Sequence, residues 1–467
     1  MKQRLVVIGN GMAGMRTVEE LLSAAPDKYD ITVFGAEPYG NYNRIMLSSV
    51  LCGEKTIEDI VINNRQWYID NGITLHAGEG KTVVYIDRIK RDVYAQDGTV
   101  AGYDRLLIAT GSKAVMPSVP GSDLEGVISF RDIFDVNKML SYSRSHKKAV
   151  VLGGGLLGLE AANGLVSRGM DVTVIHNHEI LLNRQMDRPS AKLLQTELEQ
   201  RGLKFKMAAK LKQLLGDENG HITAVSLDDG SQLECDLFIT AIGVRPNMKL
   251  ALEAGIYCQR GIVVNDTLQS YDPSIYAVGE CIQHRGSTFG LVAPLFEQAK
   301  VCANHLSGHG AAEYITLPTA TKLKVTGINL FSVGDFQGDE HSESICFTDP
   351  ALGIYKKLVV KAGKLIGAVL YGDTADGGWY QKLLEQGENI SDIRDALIFG
   401  ETYARDSLVP KLQLGTNPPG ADLHTPAGCR AGQPGMNSVM EAPASCVAKL
   451  ELRPLGSQAG AWEPARH

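Results

Sequence analysis

A glycine-rich segment near the amino terminus has the spacing of a phosphate-binding turn. Gly9, Gly11 and Gly14 directly follow the apolar run Leu5–Ile8, and a helical apolar pattern begins at Met12. The first glycine permits a tight turn, the second lets the backbone approach a pyrophosphate, and the third lets the helix pack on the strand. The N–H groups and the dipole at the helix amino terminus attract phosphate. The segment therefore predicts a dinucleotide site.

An acidic residue completes this first site. Glu37 follows the second apolar strand, Ile31–Phe34, at a position where a carboxylate can accept the ribose hydroxyls of a dinucleotide. Met12 and Ala13 lie between the second and third glycines and belong to the same binding turn. Strand, helix and second strand together predict one βαβ unit with its ligand at the carboxyl ends of the strands.

The same pattern recurs in the middle of the chain. The apolar run Ala149–Leu152 is followed by a second glycine motif and a second helical pattern. Two units of this kind imply two dinucleotides, or one dinucleotide and a decayed copy. The predicted binding residues of this motif are Gly153, Gly155, Leu156, Leu157 and Gly158.

Histidines stand where the second unit would carry its acid. An acid there bonds the ribose diol of NADH and repels the extra phosphate of NADPH. His176 and His178 do neither decisively, so the choice of coenzyme stays open, although NADH is favoured. His176 is a candidate coenzyme residue, and the alternative is that both histidines are solvated loop residues.

Composition excludes several classes of function. The length of 467 residues predicts two or three domains. A net charge of −7 without a basic stripe argues against nucleic acid as a partner. No apolar stretch approaches the ~18 residues of a membrane helix, and the first apolar run is too short for a signal peptide. The eight cysteines form no CxxC pair, which excludes a close dithiol and the usual metal spacings. We expect a cytoplasmic protein without a metal site.

Three further short motifs accompany the two glycine motifs. The chain resembles the FAD-dependent pyridine-nucleotide reductases, which include glutathione-reductase-like enzymes and ferredoxin or rubredoxin reductases. The resemblance covers roughly residues 3 to 400 and implies FAD and NAD(P)H as cofactors. Besides the two glycine motifs, it is carried by Ala109-Thr110-Gly111-Ser112, by the 241–247 segment around Gly243, and by the 275–280 segment that ends in Gly279-Glu280.

Single residues acquire expected roles from this resemblance. Glu280 stands where most members of the family have an aspartate that touches the ribityl chain of the flavin. Glu160 matches the family position near the nicotinamide. The resemblance implies no catalytic acid–base residue, since hydride transfer is chemistry of the cofactors.

Within the class, the chain looks most like the flavin part of NAD(P)H nitrite reductase large subunits and the electron-transfer subunits of assimilatory nitrate reductases. In such proteins Arg44 and Ser48 would lie against the FAD. The motifs that carry this likeness are the first glycine motif, the segments 41–48, 153–162 and 290–294, and the stretch Lys322 to Gly327.

The resemblance implies an α/β fold. It has two Rossmann-like dinucleotide-binding domains, the NAD domain being inserted in the FAD domain, and a carboxyl-terminal α+β domain. We predict helix over 378–386 and strands over 322–325, 330–333, 357–360 and 365–370. The predicted boundaries are 1–117 and 246–310 for the FAD domain, 118–245 for the NAD(P) domain, 311–404 for the third domain, and 405–467 for a disordered tail rich in proline and glycine.

The implied function is transfer of electrons from NAD(P)H through FAD to a nitrate or nitrite reductase partner. The tail has too few cysteines for an iron–sulfur cluster, so we expect an electron-delivery component, or a truncated protein, that does not itself reduce nitrite. Cys52 stands alone, which disfavours a disulfide reductase. A ferredoxin or rubredoxin reductase and a non-catalytic redox sensor remain alternatives. A homodimer is a further expectation. The resemblance implies that the domain after residue 310 makes dimer or partner contacts, and the alternative is that it is a structural lid over the flavin.

Overall fold

Parallel sheets organise most of the molecule. The computed structural model describes residues 2–316, 320–325 and 327–406. Two five-stranded parallel sheets confirm the predicted α/β fold, and a five-stranded antiparallel sheet fits the predicted carboxyl-terminal α+β domain. Within the described ranges, none of the helices combines the length and the apolar character that crossing a bilayer requires.

The first parallel sheet begins at the amino terminus and has the order β21-β9-β1-β2-β5. The apolar residues of its central strands share one buried core with α1 and α8 and with β6 and β7 of a small antiparallel sheet, as continuous apolar runs predict. The elements of this region are β1 Gln3–Ile8, α1 Met12–Ala24, β2 Tyr29–Gly35, β3 Asn41–Tyr42, α2 Leu47–Cys52, β4 Val61–Asn63, α3 Arg65–Asp70, β5 Thr74–Ala77, β6 Val83–Asp87, β7 Asp92–Ala95, β8 Val100–Gly102, β9 Arg105–Ile108 and β10 Ser112–Ala114.

The second parallel sheet repeats this arrangement with the order β11-β18-β12-β13-β14. A three-stranded antiparallel sheet, β15-β16-β17, is attached to it. The elements are β11 Val127–Ser129, α4 Ile133–Ser145, β12 Lys148–Leu152, α5 Leu156–Ser167, β13 Asp171–Ile175, α6 Arg188–Gln200, β14 Lys204–Lys206, β15 Leu211–Gly216, β16 Ile222–Leu227, β17 Gln232–Glu234 and β18 Leu237–Thr240.

The chain then returns to the first sheet. β21 pairs with β9 in parallel and completes that sheet, while β10 and β19 pair antiparallel where the chain leaves and re-enters the first region. The boundaries of the two nucleotide domains remain predictions. The returning elements are β19 Val244–Pro246, α7 Lys249–Glu253, β20 Ile262–Val264, β21 Ile275–Ala277, β22 Ile282–His284 and α8 Val292–Ser307.

The carboxyl-terminal domain is an antiparallel sheet of order β23-β24-β27-β26-β25 with one covering helix. Arg405 and Asp406, placed in the predicted tail, belong to a short helix instead, and the rest of that tail lies outside the described residues. The elements are β23 Thr321–Val325, β24 Ile328–Gly334, β25 Glu343–Asp349, β26 Ile354–Lys361, β27 Lys364–Tyr371, α9 Gly377–Gln386 and α10 Glu401–Asp406.

One strand of the third domain was not predicted from the sequence. β25 was missed because it is an edge strand whose residues are exposed or half-buried and so lack a clear apolar alternation.

The third domain packs on α6 of the second region. Tyr355 donates a hydrogen bond of 2.6 Å to Asp187, the residue that also caps the amino terminus of α6. Lys357 Nζ lies 4.0 Å from the same carboxylate. Leu330 and Tyr355 belong to one buried apolar cluster with Leu194 of α6. The two regions therefore share a core and do not merely touch at the surface.

Helix α5 can lie on its sheet only because Gly158 has no side chain. A Cβ at Gly158 would collide with the carbonyl oxygen of Gly153. A Cβ at Gly155, whose φ is −85°, would have no heavy atom within 4 Å. Gly158 is required because the helix packs closely on the strand. Gly155 instead leaves the backbone open for a ligand to approach.

We predict that Gly158→Ala lowers the free energy of unfolding by about 1–3 kcal/mol, because the backbone must shift to admit the methyl group. The helix propensity of alanine, worth about 1 kcal/mol, is too small to offset this in full. Gly155→Ala is the matched control and should leave stability within about 0.5 kcal/mol. Urea unfolding of the three proteins measures both changes, and equal stabilities would contradict the packing argument.

Candidate functional site

A cavity of about 740 Å³ lies at the carboxyl ends of the first parallel sheet. Its size is that of a typical cofactor site. The predicted first-site residues found in its wall are Gly9, Gly11, Met12, Ala13, Glu37, Arg44, Ala109, Thr110, Gly111, Glu160, Gly279 and Glu280.

The first glycine motif shapes one side of this cavity. Gly9 has a φ of +115°, and a Cβ there would collide with the carbonyl of Ala109. A Cβ at Gly14 would lie 2.8 Å from the carbonyl oxygen of Gly9, so this glycine packs helix on strand and does not line the cavity. Gly11 has no heavy atom within 4 Å of its Cβ position, which leaves its backbone open to a ligand.

Glu37 is held by two neighbours at the edge of the cavity. The Tyr42 hydroxyl donates to its carboxylate at 2.6 Å, and Arg44 forms an ion pair with it. The Arg44 guanidinium lies 4.8 Å from the ring centroid of Tyr42 and donates to the carbonyl oxygen of Arg131 at 3.2 Å. The carboxylate is therefore presented in a fixed position, as a ribose acceptor must be.

Glu280 forms a second polar cluster with two residues that the predicted site did not include. Ser112 donates to Glu280 at 2.8 Å, and Arg131 donates to Ser112 at 2.9 Å and pairs with Glu280. Ser112 belongs to the 109–112 motif but was not predicted as a site residue, and Arg131 was not identified from the sequence at all. It lies in a loop before α4, outside any motif, so only the fold brings it to the cavity.

Glu160 lies in the cavity wall without a cationic partner among the described residues. Burial raises its pKa to about 7, and a hydrogen bond with Ser48 acts in the opposite direction. Ser48 itself is not among the lining residues, and its hydroxyl donates to the carbonyl of Ile45 at 3.3 Å. The structure thus brings Ser48 to Glu160, while its predicted contact with FAD stays a prediction.

A second cavity of about 700 Å³ lies at the carboxyl ends of the second sheet. Gly153 has a φ of +123°, and a Cβ there would collide with the carbonyl of Ala241, the same relation that Gly9 has to Ala109. Gly158 is absent from the wall for the packing reason given above. The predicted residues found in the wall are Gly153, Gly155, Leu156, Leu157, His176 and Gly243.

His176 is buried, so the solvated-loop interpretation is wrong for this histidine, although His178 is exposed. Its Nδ1 accepts the backbone N–H of Gly154 at 3.1 Å. Burial and the neighbouring His178 lower its pKa, partly offset by Asn183 and by the backbone of Ile180. The ring is therefore neutral, with its proton on Nε2.

The two cavities share part of their walls. The shared residues come from the start of α5, the loop before α8, β19 and the loop before α4. A ligand in one cavity can therefore meet a ligand in the other without an intervening layer of protein. The shared residues are Arg131, Leu156, Leu157, Val244, Gly290 and Leu291.

No cysteine within the described ranges lines either cavity. Cys52 lies 3.8 Å from the side-chain nitrogen of Asn163, and burial raises the pKa of its thiol. Cys281 is fully buried, with its thiol 3.2 Å from the carbonyl oxygen of Val278, and burial raises its pKa to about 11. These are protonated packing residues and not activated thiolates.

We predict that Glu160→Gln stabilises the cofactor-free protein at high pH. A carboxyl whose pKa is raised from 4.5 to about 7 by burial destabilises the fold progressively as pH rises through this window. The variant should equal the wild type near pH 5 and exceed its free energy of unfolding by about 1–3 kcal/mol at pH 8.

Urea unfolding at the two pH values tests this difference. Glu79→Gln is the control, because Glu79 is exposed. A gain for Glu160→Gln that is the same at both pH values would show that packing and not charge is responsible.

Comparison with known proteins agrees with this geometry. The family model described as pyridine nucleotide-disulphide oxidoreductase matches residues 3–304. The model described as rubredoxin NAD+ reductase C-terminal domain matches residues 319–388.

Two relatives from Bacillus subtilis (strain 168) match most of the chain. A nitrite reductase [NAD(P)H] is 46% identical over 391 residues, which cover 84% of this chain and 48% of the relative. An assimilatory nitrate reductase electron transfer subunit is 44% identical over 401 residues, which cover 86% and 52%. The chain thus spans about half the length of these relatives.

One solved structure matches the fold of this chain along the whole length of the solved chain. The NADH:rubredoxin oxidoreductase of Clostridium acetobutylicum is 27% identical, with a TM-score of 0.70, and the match covers 88% of this chain and 100% of that one. With two glycine-motif cavities in contact and a family match over most of its described length, the chain belongs to the pyridine nucleotide-disulphide oxidoreductase family.

Proposed function

We propose that this chain is an NAD(P)H- and FAD-dependent reductase that delivers electrons to a separate nitrate or nitrite reductase partner. The observation that carries the proposal is the common wall of the two cavities, which includes Leu156, Leu157 and Gly290. Two dinucleotide ligands that meet there can exchange a hydride. The printed names of the two Bacillus subtilis relatives favour nitrate or nitrite as the metabolic context.

The residues of the first cavity fit FAD. The open backbone at Gly11 and the amino terminus of α1 suit a pyrophosphate, and Glu37 suits a ribose. Glu280, fixed by Arg131 and Ser112, suits the ribityl hydroxyls. The second cavity fits the nicotinamide coenzyme, through the open backbone at Gly155 and a buried polar ring at His176.

The protein's own contribution is positioning and exclusion of water. FAD held in the first cavity would supply the acceptance of a hydride from NAD(P)H and the release of single electrons. Leu156 and Leu157 form an apolar part of the shared wall, and Arg131 keeps the Glu280 carboxylate in place. Glu160, with a pKa of about 7, holds a proton in part of the molecules at neutral pH. No cysteine of the described residues lines either cavity, so a cysteine relay to a disulfide is not part of the proposal.

A ferredoxin or rubredoxin reductase is the second candidate. It is favoured by the match of residues 319–388 to a rubredoxin NAD+ reductase C-terminal domain. It is favoured also by the full-length match to a rubredoxin oxidoreductase. The flavin chemistry would be the same and only the partner would differ. A redox sensor without turnover is a third candidate, and a homodimer in the cytoplasm is part of the main proposal.

Anaerobic reduction followed by a choice of acceptors tests these candidates. We expect the flavin absorbance of the purified protein to bleach rapidly with NADH or NADPH. The reduced protein should then be reoxidised faster by a nitrate or nitrite reductase catalytic component than by rubredoxin. Faster reoxidation by rubredoxin would favour the second candidate, and slow bleaching would favour the sensor. A protein that binds no FAD would overturn the proposal.

We also predict that Glu280→Ala weakens FAD binding by about tenfold or more, because it removes a charged hydrogen-bonding partner and leaves Arg131 unpaired in the cavity wall. Glu280→Asp keeps the carboxylate and should lose less. Glu297→Ala, at an exposed position of α8, is the control. Fluorescence titration of the flavin-free proteins with FAD measures the affinities, and equal losses for all three variants would contradict a specific role for Glu280.

A further inference from the structure

The charges of the second cavity all have one sign. Among the described residues in its wall, the permanently charged ones are Arg131, Arg184 and Lys210, and no aspartate or glutamate is present. Arg184 and Lys210 are exposed. A wall of this kind attracts an anion and lacks the carboxylate that would repel one.

The position of these groups matters as much as their sign. β13 ends at Ile175, and His176 and His178 follow at the place where a βαβ unit contacts the adenosine ribose of its coenzyme. An acid at this place selects NAD by bonding both ribose hydroxyls, whereas a nearby arginine accommodates the 2′-phosphate of NADP.

His176 adds no charge that would oppose an anion at this place. The residue is buried in the cavity wall, with an exposed fraction of 7%. Its Nδ1 accepts the backbone N–H of Gly154 at 3.1 Å. The exposed arginine and lysine are therefore the groups of this wall that are placed to meet a phosphate.

We propose that this cavity recognises the 2′-phosphate of NADPH, with Arg184 and Lys210 as its cationic partners. The chain then uses NADPH at least as well as NADH, against the preference for NADH expected from sequence. The inference rests on the proposed function, because it assigns the second cavity to the coenzyme.

Binding of two coenzyme fragments to the FAD-loaded protein tests the inference without turnover. The probes are adenosine 2′,5′-bisphosphate and adenosine 5′-monophosphate, measured by isothermal titration calorimetry. We expect the bisphosphate to bind at least about tenfold more tightly, the effect of one charged hydrogen bond. Equal affinity of the two fragments would overturn the inference.

Single substitutions locate the recognition. Arg184→Gln and Lys210→Gln should each weaken the bisphosphate by about tenfold and change the monophosphate by less than about threefold. Lys212→Gln is the matched control, because Lys212 is exposed, lies two residues from Lys210 and does not line the cavity. An equal loss of bisphosphate affinity in Lys212→Gln would show that general surface charge is responsible, and it would overturn the assignment.

Flavin bleaching separates failure of this inference from failure of the proposed function. Rapid bleaching by NADH with at least tenfold slower bleaching by NADPH would leave the reductase proposal standing and overturn the inference. Tight bisphosphate binding without bleaching by either coenzyme would support the recognition site and overturn the reductase proposal.

Discussion

The contact on which the site depends is the approach of a carbonyl group to a glycine at the end of a parallel strand. The carbonyl of Ala109 occupies the space where a Cβ of Gly9 would lie, and the carbonyl of Ala241 does the same at Gly153. Both glycines have a positive φ, which other residues adopt only at a cost. This close packing turns each chain sharply into its helix and directs the helix amino terminus into a cavity. Without it, neither cavity would have a phosphate-binding end.

The remaining structure holds the two cavities together. Their common wall is made from segments far apart in sequence, such as Leu156 and Gly290. The third domain fixes the second sheet from the other side, through the Tyr355 hydrogen bond to Asp187 and the apolar cluster around Leu194. Because Asp187 also caps α6, one carboxylate links the start of a helix to a neighbouring domain. The relative position of the two nucleotide sites thus depends on packing outside both of them.

Local features of the fold and site were predictable from sequence. The two glycine motifs and Glu37 carry their meaning in residues adjacent in the chain, and the structure places them in the expected cavities. Arg131 could not be predicted, because it reaches Glu280 only after the loop before α4 has packed against the first region. The burial of His176 was missed because its ring packs against Gly154, which lies 22 residues earlier in the chain. The edge strand β25 lacks the apolar alternation by which strands are recognised.

The antiparallel pairing of β10 with β19 has a consequence for how such a chain is assembled. Ser112 lies opposite Pro246 and Ala114 opposite Val244, so the chain enters and leaves the second region at one place. The inserted segment therefore has both ends side by side, like a loop of unusual length. Once the second region is folded, its two ends are adjacent. The first region then loses little more conformational entropy in bringing the flanking segments together than it would in closing a tight turn. In connectivity the second region is an insertion, which the first region can accommodate without a change in its own strand order.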